Sequence, residues 1–430
     1  MSVSERERIS HVVRRLSMGV HPDLVAELES PEAAIARALD LSVASPPALP
    51  PMDPPSSYNE QQPIGIAPTI AWWLGQMQTN PRLVEERLVW FWHDHFATSL
   101  AKVRVPYLLY QQHATVRTHA TGSFADLLHA MAKDPAMLVY LDGVGNQVRN
   151  VNENFGRECL ELFTMGIGGG YTQDDVVEAS RAFSGWVVNV PGRPFSERLS
   201  ALGAAAWGSI FIPTRHDSGE KELLGQGGPF DLDRALDVIL EHPSTSRYIA
   251  GKLYRELVGI DPDDKTSRRL GDAFARDWSI MALVEAIGSV PAFTSNAAVR
   301  AKVRTPIEKL VGIAQAGQGL VALGAVTNRP AQVNGVGEAL RTIGFIPFVP
   351  PNVSGFPDGS LLLGPHQLVH TFDLLQALPS TPAAADDVDT LLARFGVFDI
   401  ATSTRRVLEQ ERDPGRQFTL AAMSPEFAVT

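Results

Sequence analysis

Apolar residues recur at three- and four-residue intervals along most of the chain, and wherever that spacing is sustained it predicts a helix. Ile9, Val12, Val13 and Leu16 open the pattern, and "LVAELESPEAAIARAL" continues it as two short helices broken before Pro31, because a residue ahead of proline is pushed out of the helical region. From Ile70 to Ala132 the pattern is almost wholly helical: "TIAWWLGQMQ", then "RLVEERLVWFWHDHF" behind Pro81 as a helix-start residue, then "PYLLYQQHATVRTHA" and "SFADLLHAMAKDP". "LVYLDGVGNQVRN" reads as a loop. After it, "VNENFGRECLELFTMGIGGGYTQDDVVEASRAFSGW" gives two helices joined by a glycine-rich turn. Gly166 suits the end of the first, and Thr172 with Asp175 resembles a capping box at the start of the second.

Between Gly185 and Gly225 the spacing changes to short β-branched and aromatic runs, "WVVNV" and "WGSIFIP", which predict a small hairpin. Helical spacing returns in "FDLDRALDVILEHPSTSRYIAGKLYRELVG", "DDKTSRRLGDAFARDWSIMALVEAIG" and "TPIEKLVGIAQAGQGL", the last with Pro306 in its first turn. "IPFVPPNVSGFPDGS" is a Pro/Gly-rich loop, and "PSTPAAADD" is a linker-like stretch ahead of a last helix near residues 387 to 411. The expected class is mainly α, a large multi-helix domain with a small β-hairpin insertion. Residues 1–44 are N-terminal helices packing on the main domain, and 45–60 a Pro-rich connection. Residues 61–380 are the main helical domain, with the β insertion at about 185–225, and 381–430 are a C-terminal linker, helix and tail.

Composition narrows the function classes. The chain has 430 residues, 44% hydrophobic and 20% charged, so a globular core is affordable and wholesale disorder is excluded. Its formal net charge of -11 argues against nucleic acid or an anionic membrane surface as a partner, since basic patches drive both. A single cysteine, Cys159, cannot close an internal disulfide and fits a reducing compartment. The N-terminus alternates charge with apolar residues, unlike a secretory signal, and no long apolar run predicts a membrane span. The expectation is a cytoplasmic protein whose substrate, small molecule or polymer, the sequence does not name.

Three polar constellations carry the candidate chemistry. In "WFWHDHF", His93 and His95 stand two residues apart and so point about 200° from one another on a helix. They cannot share one metal as the i,i+4 histidines of a metalloprotease helix do. Leu88, Phe91, Trp92 and His95 share a face, with His93 and Asp94 on its flank. In "NENFGRECLELF", Asn154, Arg157, Glu158 and Glu161 fall in one arc of about 100°, opposite Phe155, Cys159, Leu162 and Phe163. Cys159 therefore reads as a small core residue. In "TRHDSGEKELLG", His216 and Lys221 bracket a turn at Asp217, Ser218 and Gly219. Each constellation also has a plain structural reading: locally satisfied core imidazoles, a solvated helix face with Arg157 and Glu161 paired at i,i+4, and an exposed turn. No Walker lysine pattern, dinucleotide fingerprint, nucleophile elbow, or haem or copper ligand pattern occurs.

Taken in order, "ISHVVRRLSMGVHP", "VWFWHDHFATS", "NENFGRECLELFTMGIGGGYTQDDVVEASRAFSGW", "RHDSGEKELLG", "SRYIAGKLYRELV", "VRTPIEKLVG" and "FVPPNVSGFPDG" resemble the bacterial domain-of-unknown-function 1800 family. The resemblance runs roughly from residue 9 to 375, and its specific part is Asn152 to Trp186. It implies that His93, His95, Asn152, Asn154, Arg157, Glu158, Glu161, Thr172, Asp175, Trp186, His216, Asp217, Gly219 and Lys221 occupy the family's motif positions. Many members of the family resemble exported proteins, often encoded beside a second family similar to sulfatases and phosphatases. This chain departs in showing no signal sequence, in Cys159 where relatives usually carry an aliphatic residue, and in Phe356 where they more often carry tryptophan.

Two functional readings follow. In the first, a hydrolase gathers His93, His95, Glu158, Glu161 and His216 as catalytic groups and Asn154, Arg157, Asp217 and Lys221 as substrate-binding groups. It works with or without a divalent metal. In the second, the protein is a non-catalytic helical binding or accessory protein, and the same residues form a structural network.

Overall fold

The computed structural model describes residues 3–58, 65–317, 340–341, 344–377 and 387–430. Residues 59–60 of the Pro-rich connection, the tail of "TPIEKLVGIAQAGQGL" and nearly all of "PSTPAAADD" lie outside them. The protein is mainly helical, with two small antiparallel two-stranded sheets among the described residues.

Local chemistry sets most helix starts. Ser4 accepts the Glu7 N–H at the head of Glu5–Leu16, and the Thr172–Asp175 capping box opens Gln173–Ala182. A second capping box, Thr305 with Glu308, opens Pro306–Ala316, with proline in its first turn as the sequence predicts. No helix among the described residues is long and apolar enough to cross a membrane.

One hydrophobic core joins Ile9, Val12 and Leu16 to Leu88, Trp92, Phe163, Leu253 and Leu310. Through its middle runs the helix Leu83–His95, in which every residue except Asp94 is buried. The charges buried on this helix must be paired, and they are. Arg87 bonds Glu308 at 2.8 Å and Glu256 at 3.1 Å, while Glu86 takes Arg117 at 2.6 Å. Arg87 also bonds the carbonyls of Arg14 and Ser17, which ties the first helix to the centre. A second, smaller core sets Val20 and Ile313 against Leu392, Phe395, Phe418 and Phe427.

Two local differences from the sequence reading have physical causes. The predicted last helix is two, Val388–Arg394 and Thr402–Gln410, followed by Pro414–Ala422 and Pro425–Ala428. The break comes at Gly396, with φ 64°, whose carbonyl accepts from Ser10 at 2.7 Å; a Cβ there would lie 2.8 Å from that Ser10 hydroxyl. In the β insertion, the predicted hairpin forms with β1 (Trp186–Val188) against β2 (Ser209–Phe211), Trp186 opposite Phe211. A second hairpin follows, β3 (Lys221–Leu223) against β4 (Gln226–Gly228). Its sequence lacks β-branched residues. Its two-residue turn is nevertheless specified by Leu224 and Gly225, both at positive φ.

Candidate functional site

The histidine helix is a clasp. His93 turns into the core, its ring edge-on to Trp73 at 5.1 Å and to Phe348 at 4.9 Å, and its Nε2 accepts the Phe348 N–H at 3.1 Å. Burial among these rings pushes the imidazole down to about 3, so it is a neutral acceptor. The sequence reading put His93 on the flank; the helix is covered on that side too, because residues 345–358 lie across it. Asp94 Oδ1 accepts the Phe356 N–H at 2.7 Å, and the Phe348 carbonyl accepts from the Leu100 N–H at 2.9 Å. Gly355 makes the approach possible. At φ 96°, it would place a Cβ 2.3 Å from Asp94 Oδ1. Burial raises the Asp94 carboxyl to about 6, against the pull of the Phe356 N–H and the Lys252 charge.

His95 faces another way. Its Nε2 lies 3.1 Å from the Phe163 carbonyl, which requires a proton on Nε2 and leaves the Nδ1 lone pair for Lys252 Nζ at 3.0 Å. Burial, reinforced by the Lys252 charge, drives this imidazole well below its usual range. Both ring nitrogens are therefore engaged.

The helix Asn154–Glu158 does not continue as regular α but as a π-helical segment, Cys159–Thr164. Phe155, Cys159 and Phe163 are buried as the wheel predicts, and burial raises the Cys159 thiol to about 12, the behaviour of a core residue. The segment ends at Gly166, φ 80°, leaving late carbonyls without helical partners. Tyr248 donates to the Leu162 carbonyl at 3.2 Å, and His95 to that of Phe163. On the opposite face, Arg157 bridges Glu153 at 2.9 Å, Gln173 at 2.9 Å and Glu161 at 3.4 Å, all part-exposed. Asn154 donates to the Leu141 carbonyl at 3.2 Å. Glu158 is half-buried; burial first, and the Glu161 charge second, raise its carboxyl above the usual range.

The third constellation is held by the helix Gln173–Ala182 and the turn after it. Arg181 grips Asp217 with two nitrogens, at 2.8 and 3.2 Å, and holds its carboxyl down at about 2. His216 Nδ1 donates to the Ser184 carbonyl at 3.0 Å. Lys221, buried, donates to the carbonyls of Asp217 at 2.6 Å and Gly219 at 2.9 Å. Asp175 joins this clasp: one oxygen caps its own helix and the other accepts the Leu224 N–H at 2.6 Å.

The three constellations thus meet backbone more than one another. His95 reaches the helix that carries Glu158 and Glu161, but at a carbonyl behind its apolar face. Among the described residues no hydrogen bond or ion pair joins the side chains of His93 or His95 to Glu158, Glu161 or His216, and no group of three or more His, Cys, Asp and Glu is arranged to hold a metal. Two surface clefts, one lined by Glu32, Ile35 and Glu285 and the other by Gln111, Asp134 and Ser209, have none of the nine candidates in their walls. The residue that sequence reasoning missed is Lys252. Its signal was a lysine set between Ile249, Ala250 and Leu253, all buried, in "SRYIAGKLYRELV".

This is a mainly helical protein whose buried polar side chains largely bond main-chain groups of distant segments. The family model described as "Protein of unknown function (DUF1800)" matches residues 11–429, nearly the whole chain, and the chain belongs to that family. No curated protein and no solved structure matches it.

Proposed function

We propose that the protein is a non-catalytic helical binding or accessory protein, whose family motifs act as internal clasps that hold a defined surface. The observation carrying this reading is the complete engagement of His95: Nε2 donates to the Phe163 carbonyl and Nδ1 accepts from Lys252. A general base needs a free lone pair within reach of a substrate proton. His93 likewise spends its Nε2 lone pair on the Phe348 N–H. The cytoplasm is the compartment we propose, supported by the one buried cysteine.

One observation favours the hydrolase reading instead. Asp94, raised to about 6 and facing the charge of Lys252, is an acid–base group poised near neutrality, and it is the one residue of its helix that is not fully buried. In that reading Asp94 and Lys252 replace Glu158 and Glu161 as the partners of the histidines. The test is turnover by the purified chain on ester, amide, phosphate-monoester and sulfate-monoester substrates across the neutral range. The accessory reading expects none above buffer. Turnover that disappears in Asp94→Asn while the melting temperature is kept would overturn it.

A further inference from the structure

The i,i+4 histidine spacing that the segment around His93 lacks is present elsewhere, in "HQLVHTFD" on the helix Pro365–Ala377. We propose that His366 and His370 form a site for one divalent transition-metal ion, with Asp373 as the positioning residue of His370. Residues four apart share a helix face, and here the two Nε2 atoms stand 3.0 Å from one another. The other nitrogen of His370, Nδ1, lies 2.9 Å from Asp373 Oδ2. A neutral imidazole that gives its Nδ1 hydrogen to a carboxylate presents Nε2 as a lone pair, in the carboxylate–histidine arrangement found behind metal ligands.

Imidazole nitrogen suits divalent first-row transition ions, and affinity for such ligands peaks at Cu2+. His370 is buried, fixing one nitrogen, while His366 is exposed and leaves the ion reachable from solvent. Without an ion His366 Nε2–H donates to His370 Nε2, and the ion takes that position as the proton shifts to His366 Nδ1. Among the described residues no third His, Cys, Asp or Glu completes a cage. The remaining positions are then open to water or to a donor carried by a ligand.

The experiment is calorimetric titration of the chelator-stripped full chain with NiCl2, CuCl2 and ZnCl2, at neutral pH and at about pH 5. Expected are one equivalent bound, copper tightest of the three, and release at the lower pH as protons compete for the imidazoles. Saturable binding should vanish in His366→Ala, whose exposed side chain leaves the fold intact by circular dichroism, and in His370→Ala. Asp373→Asn should weaken binding by about 10- to 100-fold. Absence of saturable uptake by the unmodified chain, or uptake undiminished in His366→Ala, overturns the assignment.

Discussion

His95 donates to the carbonyl of Phe163, 68 residues away in sequence, at 3.1 Å. The imidazole therefore closes the end of a helix that finishes in a π-helical segment, and Lys252 holds it in the required tautomer from the other side. Neither end of this chain of contacts is dispensable, because the ring is buried and the ammonium that holds its tautomer is itself partly buried.

Removing the ring should be costly. His95→Ala strands the Phe163 carbonyl and Lys252 together, so a loss of about 2–4 kcal/mol is expected. Urea unfolding measures it. A loss below about 0.5 kcal/mol would show that water replaces the imidazole freely.

Gly355 and Asp94 are expected to be coupled. Gly355→Ala adds both a strained backbone and a methyl 2.3 Å from Asp94 Oδ1, and should cost about 2–3 kcal/mol. In the Asp94→Ala background the side-chain contact is gone and only the Asp94 carbonyl, at 2.9 Å, remains, so the same substitution should cost less. Equal costs in a double-mutant cycle would argue against the clasp.

The two neighbours in the histidine helix should give stability opposite pH dependences. Asp94 has a folded pKa near 6, above its unfolded value, so its folded state holds the proton longer. Stability of the parent relative to Asp94→Asn should fall as pH rises from about 4 to 6. His93 has a folded pKa near 3, below its unfolded value. Stability of the parent relative to His93→Gln should therefore rise across about pH 3 to 6.5 and stay level above it. Chemical denaturation at a series of pH values reads both slopes, and slopes of the same sign would refute one assignment.

The exposed arc should behave differently from the clasps. Arg157 and Glu161 are part-exposed, so Glu161→Gln should change stability by less than about 0.5 kcal/mol. Arg181→Ala and Asp217→Ala should each cost more, about 1–2 kcal/mol, and show a coupling of about 0.5–1.5 kcal/mol. Thermal melts of the three single variants and of the Arg181/Asp217 double mutant rank them. Limited proteolysis near residues 214–225 should speed up in Arg181→Ala and not in Glu161→Gln.

Much of the molecule was legible from spacing. The helices, the Thr172–Asp175 cap, the helix end at Gly166, the apolar face of Phe155, Cys159 and Phe163, and the first hairpin all follow from interactions within a few residues. The family was legible too, because it is written in the order of the motifs. What the tertiary structure decided is where the buried polar groups find partners. His93 meets Phe348 across 255 residues, Asp94 meets Phe356 across 262, and His95 meets Lys252 across 157. Periodicity reports which face of a helix leaves water. It carries no record of which distant carbonyl or N–H is left unpaired once that face is covered, and the unpaired group is what each of these side chains serves.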